Sequence, residues 1–541
     1  MPGDTEPRHL PLWLLAVGAG VLAFGLRLLG IGWGLPNELH HQPYHPDEYL
    51  LYVYAVGNLD LPHGVWNPGF YNYGSLWLYV MHLVSIFLTG WGLAPEGSVA
   101  VIQLGCRVVS AGLGAATVSL CYLIGARVWR PAAGITAALL LLVAPGHVVH
   151  SRFHTVDVPA TFFVACAMLL AVKALQEEEL RRAVRFALWG CAMSGLAAAV
   201  KYNMALVLVC PLLALMLRSM PGRARATYAA LGVLSCVVAF LVTTPGAIFA
   251  SEQFLRDTLF EMRHVQEGHG LVFASTAPGW VYHLGNMVEA FGLVVPAMAL
   301  VGLVLAIRLK RSAVWLLLAF ALPYYVLIGS VEVKFLRYVL PLGPAVCVFA
   351  GCAVAAGMRE TLLASRPAVV AGAILAFGAT FGNNAAVVTE LMLREDPRDA
   401  AARWLAVNAQ GASIGFPNPP WYYTPPLFPE TGAGFGEAGA RYRLQRMAEV
   451  SQYQLRYYLR ADGALTEWDP RLITALRPDY VVYSSFEYVD AERVRLPGYM
   501  DTLSLLKERY ELVESFGFRG QMSHDMQYIS PHIVIWKRKT P

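Results

Sequence analysis

The sequence predicts a polytopic α-helical membrane protein of about eleven transmembrane helices with a C-terminal extracytoplasmic α/β domain, and three observations predict it. Of 541 residues, 56% are hydrophobic and only 14% charged, against about 25% charged in an average soluble protein, and the mean hydropathy is +0.48. Apolar runs long enough to cross a bilayer recur as far as residue 389. Charge then rises abruptly: 37 Asp, Glu, Lys and Arg residues lie in the 152 positions from Glu390 onward, against 41 in the preceding 389. This pattern excludes a cytosolic enzyme, a disordered chain and a coiled coil. The net charge of +4 comes without a Lys/Arg run that could track a nucleic-acid backbone, so no nucleic-acid partner is expected.

The first run, 11–34, follows Arg8 and is too long for a signal-peptide core, so it reads as a retained signal anchor. Ten more runs follow at 101–125, 133–149, 158–175, 184–200, 203–218, 227–248, 287–306, 313–330, 337–357 and 367–389. Most meet the roughly 17–25 residues that a spanning helix needs. The eight cysteines all fall inside such runs, which makes them small core residues and not a disulfide or zinc framework.

The stretch 76–93 is also apolar, and loop charge decides its place. Short cytoplasmic loops are enriched in Lys and Arg. Skipping 76–93, alternate loops carry Arg127 and Arg130; Arg181, Arg182 and Arg185; Arg218, Arg223 and Arg225; Arg308, Lys310 and Arg311; and Arg359 and Arg366. The segment 35–100 has no Lys or Arg, yet carries Glu38, Asp47, Glu48 and Asp60. It is therefore an outer loop, and 76–93 is expected to lie on or dip into the outer membrane surface. The boundaries that follow are 1–389 for the membrane domain and 390–541 for an extracytoplasmic domain. The expected localisation is multi-pass in the cytoplasmic (inner) membrane. In the tail, Asp396-Pro397 opens an Ala-rich helix to Asn408. Strands are expected at 412–416, 480–484, 511–516 and 532–536.

The candidate chemistry lies at the outer boundaries. Asp47 and Glu48 are adjacent carboxylates just beyond the first span, suited to base or metal-ligand work, although an isolated Asp-Glu pair is also ordinary in a solvated loop. Asp157 lies on the same expected face and doubles as a helix N-cap candidate. Arg27 and Arg107 sit within spans toward their outer ends, and Arg152, Lys201, Lys334 and Arg337 lie at outer boundaries, where the positive-inside rule does not place cations. Lys334 and Arg337 share a face if that segment is helical. Snorkelling accounts for any one of these cations, whereas several on one face suit an anion such as phosphate. Carboxylates beside a cationic rim divide the labour of group transfer from a lipid phosphate: a base takes the acceptor proton while cations stabilise the departing phosphate.

The ordered set Arg27, His45-Pro46-Asp47-Glu48, Thr155-Val156-Asp157-Val158-Pro159, Lys201-Tyr202-Asn203 and Lys334-Phe335-Leu336-Arg337-Tyr338-Val339-Leu340-Pro341 resembles glycosyltransferase family 39. It is similar to the protein O-mannosyltransferases and the aminoarabinose lipid A transferases, which share the GT-C membrane fold. The resemblance implies an inverting transferase that takes a hexosyl or pentosyl unit from a polyprenyl-phosphate sugar donor on the extracytoplasmic side. The acceptor is a glycan, a lipid or a protein. By the same resemblance, Asp47 is the base or orients the acceptor hydroxyl, with Glu48 supporting it. Asp157 is a second acid of the pocket, and Lys201, Lys334, Arg337 and Arg27 form the phosphate-binding set. The tail reads as an α/β module and not as the β-trefoil of the protein mannosyltransferases.

Two features stay open at this level. His147, His150, His154 and Asp157 recur at helical spacing and suit either a metal site with Asp47 or ion-free interfacial histidines, the second favoured because Pro145 and Pro159 hinder one continuous helix. The stretch 250–283, with His264, His269 and Trp280, is a lid or acceptor-contact loop or else a long connection. No cofactor is required, and a divalent metal is left open. The rival class is a transporter or lipid flippase, but transporters place ionisable residues near the midplane within repeated halves, and no repeat is visible here.

Overall fold

The computed structural model describes residues 12–95, 98–360, 385–427, 454–456, 466–520 and 522–540. Helix α1 (Leu12–Leu28) leads into a long loop carrying α2 (Pro46–Tyr52) and α3 (Leu76–Gly90). Then come α4 (Val99–Val128), α5 (Pro131–Leu142), α6 (Pro145–His150), α7 (Asp157–Gln176), α8 (Leu180–Val200), α9 (Val209–Met216) and α10 (Gly222–Thr243). The helical part continues through α11 (Gly246–Phe249), α12 (Ser251–Glu267), α13 (Gly279–Phe291), α14 (Val294–Arg308), α15 (Val314–Gly329) and α16 (Gly343–Glu360).

Among the described residues, five stretches are long and apolar enough to cross a membrane: α4, α7, α8, α10 and Leu336–Gly357. The pair α13 and α14, bent by 106°, counts as a sixth if it forms one span. The expected runs at 11–34, 133–149, 203–218 and 313–330 hold shorter helices, and most of the run 367–389 lies outside the described residues, as do Arg8 and Arg366. The shortening has local causes. Pro145 opens α6 and holds Ala144 extended, which ends α5. Lys201 is extended at φ −148°, so α8 stops there and a tight 3-10 turn, Tyr202–Leu208, precedes α9. Gly292 adopts φ +88°, a conformation closed to most side chains, and this makes the bend between α13 and α14. Interrupted backbone at membrane depth is tolerated where it lines a cavity, and the breaks at Lys201 and before α7 carry candidate site residues.

Small residues let the central helices approach. α7 packs against α8, α4 and α9, with Ala160, Ala165, Ala167, Ala171 and Ala174 fully buried. Gly74 supplies a second close approach: a Cβ there would lie 2.0 Å from the Ala199 carbonyl oxygen, so glycine alone lets the loop after α1 lie against the end of α8.

Beyond α16 the chain forms α17 (Ala386–Leu393) and α18 (Pro397–Asn408), the latter capped by the Asp396 side chain accepting from the Arg398 amide. A five-stranded sheet follows, built from β1 (Ser413–Gly415), β2 (Gln454–Arg456), β3 (Tyr480–Ser484), β4 (Tyr510–Phe516) and β5 (Ile533–Arg538) in the order β2-β1-β3-β5-β4. The β1 pairings are parallel, and β5 runs antiparallel to both β3 and β4. Helices α19 (Ser485–Arg493), α20 (Pro497–Arg509) and α21 (His524–Gln527) complete it. Every residue of β3 is buried, as expected of a strand covered on both faces. The stretch 250–283 is not mainly loop. It is α12, a helix without a buried residue, then a connection over 268–278 and the first turn of α13, which carries Trp280. Trp33 and Asp399 tie the two parts of the chain together: the Trp33 indole donates to the Ile529 carbonyl (3.1 Å), and Asn37 donates to Asp399 (2.9 Å).

Candidate active site

The loop after α1 and the turn before α16, some 290 positions apart, meet at one point. Pro46 at the start of α2 fixes the backbone so that Asp47 and Glu48 occupy its first turn. The two carboxylates then diverge. Asp47 faces a cavity of about 250 Å³ that is also lined by His45, Tyr73, Glu261, Arg337 and Tyr528. Its Oδ2 lies 3.3 Å from Arg337 Nη2, with the Asp47 side chain 28% exposed.

Glu48 points the other way and is fully buried. Its two oxygens accept from Arg107 Nε (2.9 Å) and Nη2 (2.6 Å), and Oε1 also accepts from the His154 amide at 2.9 Å. Burial alone would raise this carboxyl, but Arg107 and then His154 outweigh it and hold it at about 2. The contribution to stability is therefore present in full above the ordinary carboxylate range and is lost as pH falls through about 2. Glu48 thus clamps the loop after α1 to α4, with Arg107 also donating to the Ile31 carbonyl at 2.8 Å. Breaking a buried pair by removing one charge costs about 3–5 kcal/mol. Glu48→Gln is accordingly expected to lower the thermal midpoint of the detergent-solubilised protein by several degrees. An unchanged midpoint with lost turnover would instead put Glu48 on the substrate.

Asp157 is the first residue of α7, where the helix dipole favours an acid, but its side chain caps nothing. Oδ1 accepts from Lys201 Nζ at 2.6 Å, and Oδ2 lies 3.8 Å from Arg337 Nε. Lys201 also lies 4.5 Å from the centre of the Tyr338 ring. Arg337 is the hub. Besides Asp47 and Asp157, it donates through Nη1 to Asp525 Oδ1 (2.7 Å) and through its backbone amide to Asp525 Oδ2 (2.8 Å), and its guanidinium lies 3.9 Å from the Phe335 ring centre. Asp525 comes from α21, and its carboxyl is only 1% exposed. Burial pushes it up, but Arg337, His150 and the Arg337 amide together hold it below the usual carboxylate range. Buried His524 is pushed down to about 3, chiefly by burial, and stays neutral. The cluster therefore consists of three carboxylates and two cations.

A second cavity of about 360 Å³ adjoins the first and shares Tyr73, Glu261 and Tyr338 with it. Its walls are mainly apolar, from Met262, Val265, Leu327, Ile328 and Val331, and Lys201 enters at one side. Glu261 is carried by α12, which rests on the loop after α1: Gln253 donates to the Gly69 carbonyl (2.8 Å), the Tyr71 amide to Asp257 (3.1 Å) and Asn72 to Glu261 (3.3 Å).

Two members of the expected phosphate set stand apart. Arg27 is fully buried, donating to Ser151 Oγ (3.1 Å) and the Ala23 and Leu141 carbonyls (3.1 and 3.4 Å), with Nη2 2.8 Å from His147 Nδ1. Its charge is spent holding α1 to the break between α5 and α6. Lys334 precedes the 3-10 turn Leu336–Leu342, so it shares no helical face with Arg337, and it reaches Thr276 Oγ1 (3.1 Å) and the Ala277 carbonyl (3.2 Å). His264 and His269 both line the Asp47 cavity, with ring nitrogens 3.2 Å apart. His147, His150, His154 and Asp157 are divided between α6, a non-helical stretch and α7. Among the described residues no group of three or more His, Cys, Asp or Glu is placed to hold a metal ion.

The sequence profile of the dolichyl-phosphate-mannose-protein mannosyltransferase family matches residues 21–256. No curated protein matches the chain in sequence. Among solved structures, the chain is similar to the archaeal oligosaccharyltransferase AglB from Archaeoglobus fulgidus in complex with an inhibitory peptide and a dolichol-phosphate. The TM-score is 0.51 at 14% identity, covering 94% of this chain and 73% of that one. It is also similar to the Archaeoglobus fulgidus oligosaccharyltransferase in complex with Zn and sulfate (TM-score 0.52, 14% identity, 94% and 72% covered). A bacterial structure, ArnT from Cupriavidus metallidurans in the apo state, aligns over 97% of both chains at 15% identity and a TM-score of 0.50. These are glycosyltransferases of the GT-C class, and the chain shares their membrane fold. The resemblance to glycosyltransferase family 39 holds over the matched residues.

Proposed function

We propose that the protein is an inverting glycosyltransferase that moves a sugar from a polyprenyl-phosphate-linked donor to an acceptor hydroxyl on the extracytoplasmic side of the membrane. The observation that carries this reading is the meeting of Asp47 with Arg337 and, through Asp157, with Lys201, where a polar cavity opens beside an apolar one. The apolar cavity suits the first isoprene units, and Lys201 and Arg337 suit the phosphate. Binding of the phosphate to Arg337 draws that guanidinium from Asp47, whose oxygen then accepts the acceptor proton. The acceptor oxygen forms the new bond to the anomeric carbon from the face opposite the phosphate. The carbon–oxygen bond to phosphate breaks, and its electron pair leaves with the polyprenyl phosphate. Asp157 holds Lys201 in place, and the extracytoplasmic C-terminal part supplies Asp525, Trp421 and Tyr528 to the site. The dolichol-phosphate in the similar archaeal enzyme supports the donor class.

Arg337 lies among the three carboxylates, where a divalent cation would have to sit, and the residues present do not fit a metal. No step runs through one. The test is purified protein incubated with a panel of radiolabelled polyprenyl-phosphate sugars, with and without chelator, read as release of the lipid phosphate. At least one donor is expected to be cleaved in the presence of acceptor, with chelator changing the rate less than twofold. Cleavage of none removes the donor class, and a tenfold loss with chelator overturns the metal-free site.

A further inference from the structure

A third cavity, of about 490 Å³, lies between residues 269–272 and the C-terminal sheet part of the chain. His269, Trp421 and Tyr528 line both this cavity and the one holding Asp47, so the two adjoin across these side chains. Nothing in the mechanism above uses it. Its walls are aromatic and polar together: Trp421, Tyr423 and Phe486 with Asn418, Glu467 and Glu487.

Three features narrow the occupant. Two buried polar side chains present unsatisfied atoms: Asn418, 9% exposed, through Oδ1, and Glu487, 4% exposed, through Oε1. Both atoms are sealed beneath the cavity wall, and the two side chains meet the cavity through their remaining surface. Glu487 uses its other oxygen to accept from the Ser484 amide at 2.6 Å, in a capping box that fixes the start of α19. Burial, opposed by the Ser484 bonds, pushes this carboxyl up to about 8, so at neutral pH it bears a proton and can donate. The wall thus sets neutral polar side chains, Asn418 and protonated Glu487, among aromatic faces. Among the described lining residues there is no Lys or Arg, whereas Glu467, Glu487 and Asp490 are all acidic, so the cavity does not suit an anionic headgroup. An apolar tail is equally unsuited to a wall that carries Asn418, Glu467, Glu487 and Asp490. Neutral sugar rings have an apolar C–H face for aromatic side chains and hydroxyls that both donate and accept. The volume falls within the about 300–1,000 Å³ of ordinary ligand pockets.

We infer that this cavity is the acceptor subsite of the proposed transferase and binds a neutral glycan segment, leading its hydroxyl toward Asp47. The inference rests on the transferase reading for its purpose but not for its test. Full-length protein in detergent, without donor, is titrated with neutral trisaccharides (mannotriose, galactotriose, maltotriose and chitotriose) and observed by saturation-transfer difference NMR. At least one is expected to show saturation of its ring protons, reduced at least fivefold by Phe486→Ala and by Asn418→Leu and retained by Glu487→Gln, which keeps both the capping contact and a donor. Thermal midpoint and binding of fluorescent polyprenyl phosphate serve as folding controls and are expected to match the parent protein. Saturation of no trisaccharide, persistence of the signal in both Phe486→Ala and Asn418→Leu, or displacement of the signal by a hexapeptide panel would overturn the inference. Because no donor is present, such a failure leaves the lipid-phosphate release assay untouched, and failure of that assay is read separately.

Discussion

Asp47→Asn is expected to lower sugar transfer by about a hundredfold to ten-thousandfold, the range a positioned general base contributes, with the protein still folded and still able to bind donor lipid. The substitution keeps shape and removes only the ability to take a proton. Asp47 is the one carboxylate of the central cluster with substantial exposure to a cavity, 28%, while Asp157 and Asp525 are almost wholly enclosed. The amide can still approach Arg337, so the loop after α1 keeps its place, held independently by the Glu48–Arg107 clamp. Donor affinity, measured with fluorescent polyprenyl phosphate, should stay within about threefold of the parent protein, or tighten, since a competing anion beside Arg337 has been removed. Asp47→Asn with turnover above a tenth of the parent rate would take Asp47 out of the base role and leave Glu261, the other carboxylate lining that cavity, as the residue to test.

The membrane fold and the heart of the cluster were legible in the sequence for a physical reason. Apolar runs must be long to cross a bilayer, and charged residues placed at their ends on the side poor in Lys and Arg are costly without a partner, so Asp47, Asp157, Lys201 and Arg337 stood out. Residue type and position could not separate them from Arg27 and Lys334. A buried arginine that satisfies backbone carbonyls at a helix break reads the same in sequence as one that meets a ligand. Glu48 and Asp47 are neighbours, and only the turn of α2 sends one to Arg107 and the other to the cavity. Helix α12 is present in the sequence as Leu255, Leu259 and Met262 at helical spacing, but none of its residues is fully buried, so the stretch reads as a loop. The shortened helices trace to Pro145, Lys201 and Gly292, whose effects are local and outrank the hydropathy of a whole run. Asp525 carried no signal at all: Ser523-His524-Asp525-Met526 is an ordinary surface sequence until the C-terminal part folds back onto the turn before α16.

That fold-back gives the second large effect. Arg337→Lys is expected to reduce transfer by about a hundredfold to a thousandfold, the scale for losing one preorganised donor to a developing oxyanion. The donor KM should rise, whereas any acceptor KM should stay within about twofold. Lysine keeps the charge but not the planar fork, and here the fork divides its work. Nη1 is fixed by Asp525 at 2.7 Å, Nη2 faces Asp47 at 3.3 Å and Nε lies 3.8 Å from Asp157. A single ammonium cannot hold three directions, so the charge would settle toward one carboxylate and away from the phosphate. Asp525 is then a positioning residue reached from the other end of the chain, and its variants separate positioning from mere folding. Asp525→Ala frees both the Arg337 side chain and its amide and is expected to raise the donor KM about tenfold. Asp525→Asn keeps an acceptor oxygen within reach and should recover most of that loss. If Asp525→Ala and Asp525→Asn lower activity equally while the donor KM stays at the parent value, the α21 contact serves stability alone, and Arg337 is aligned for phosphate without it.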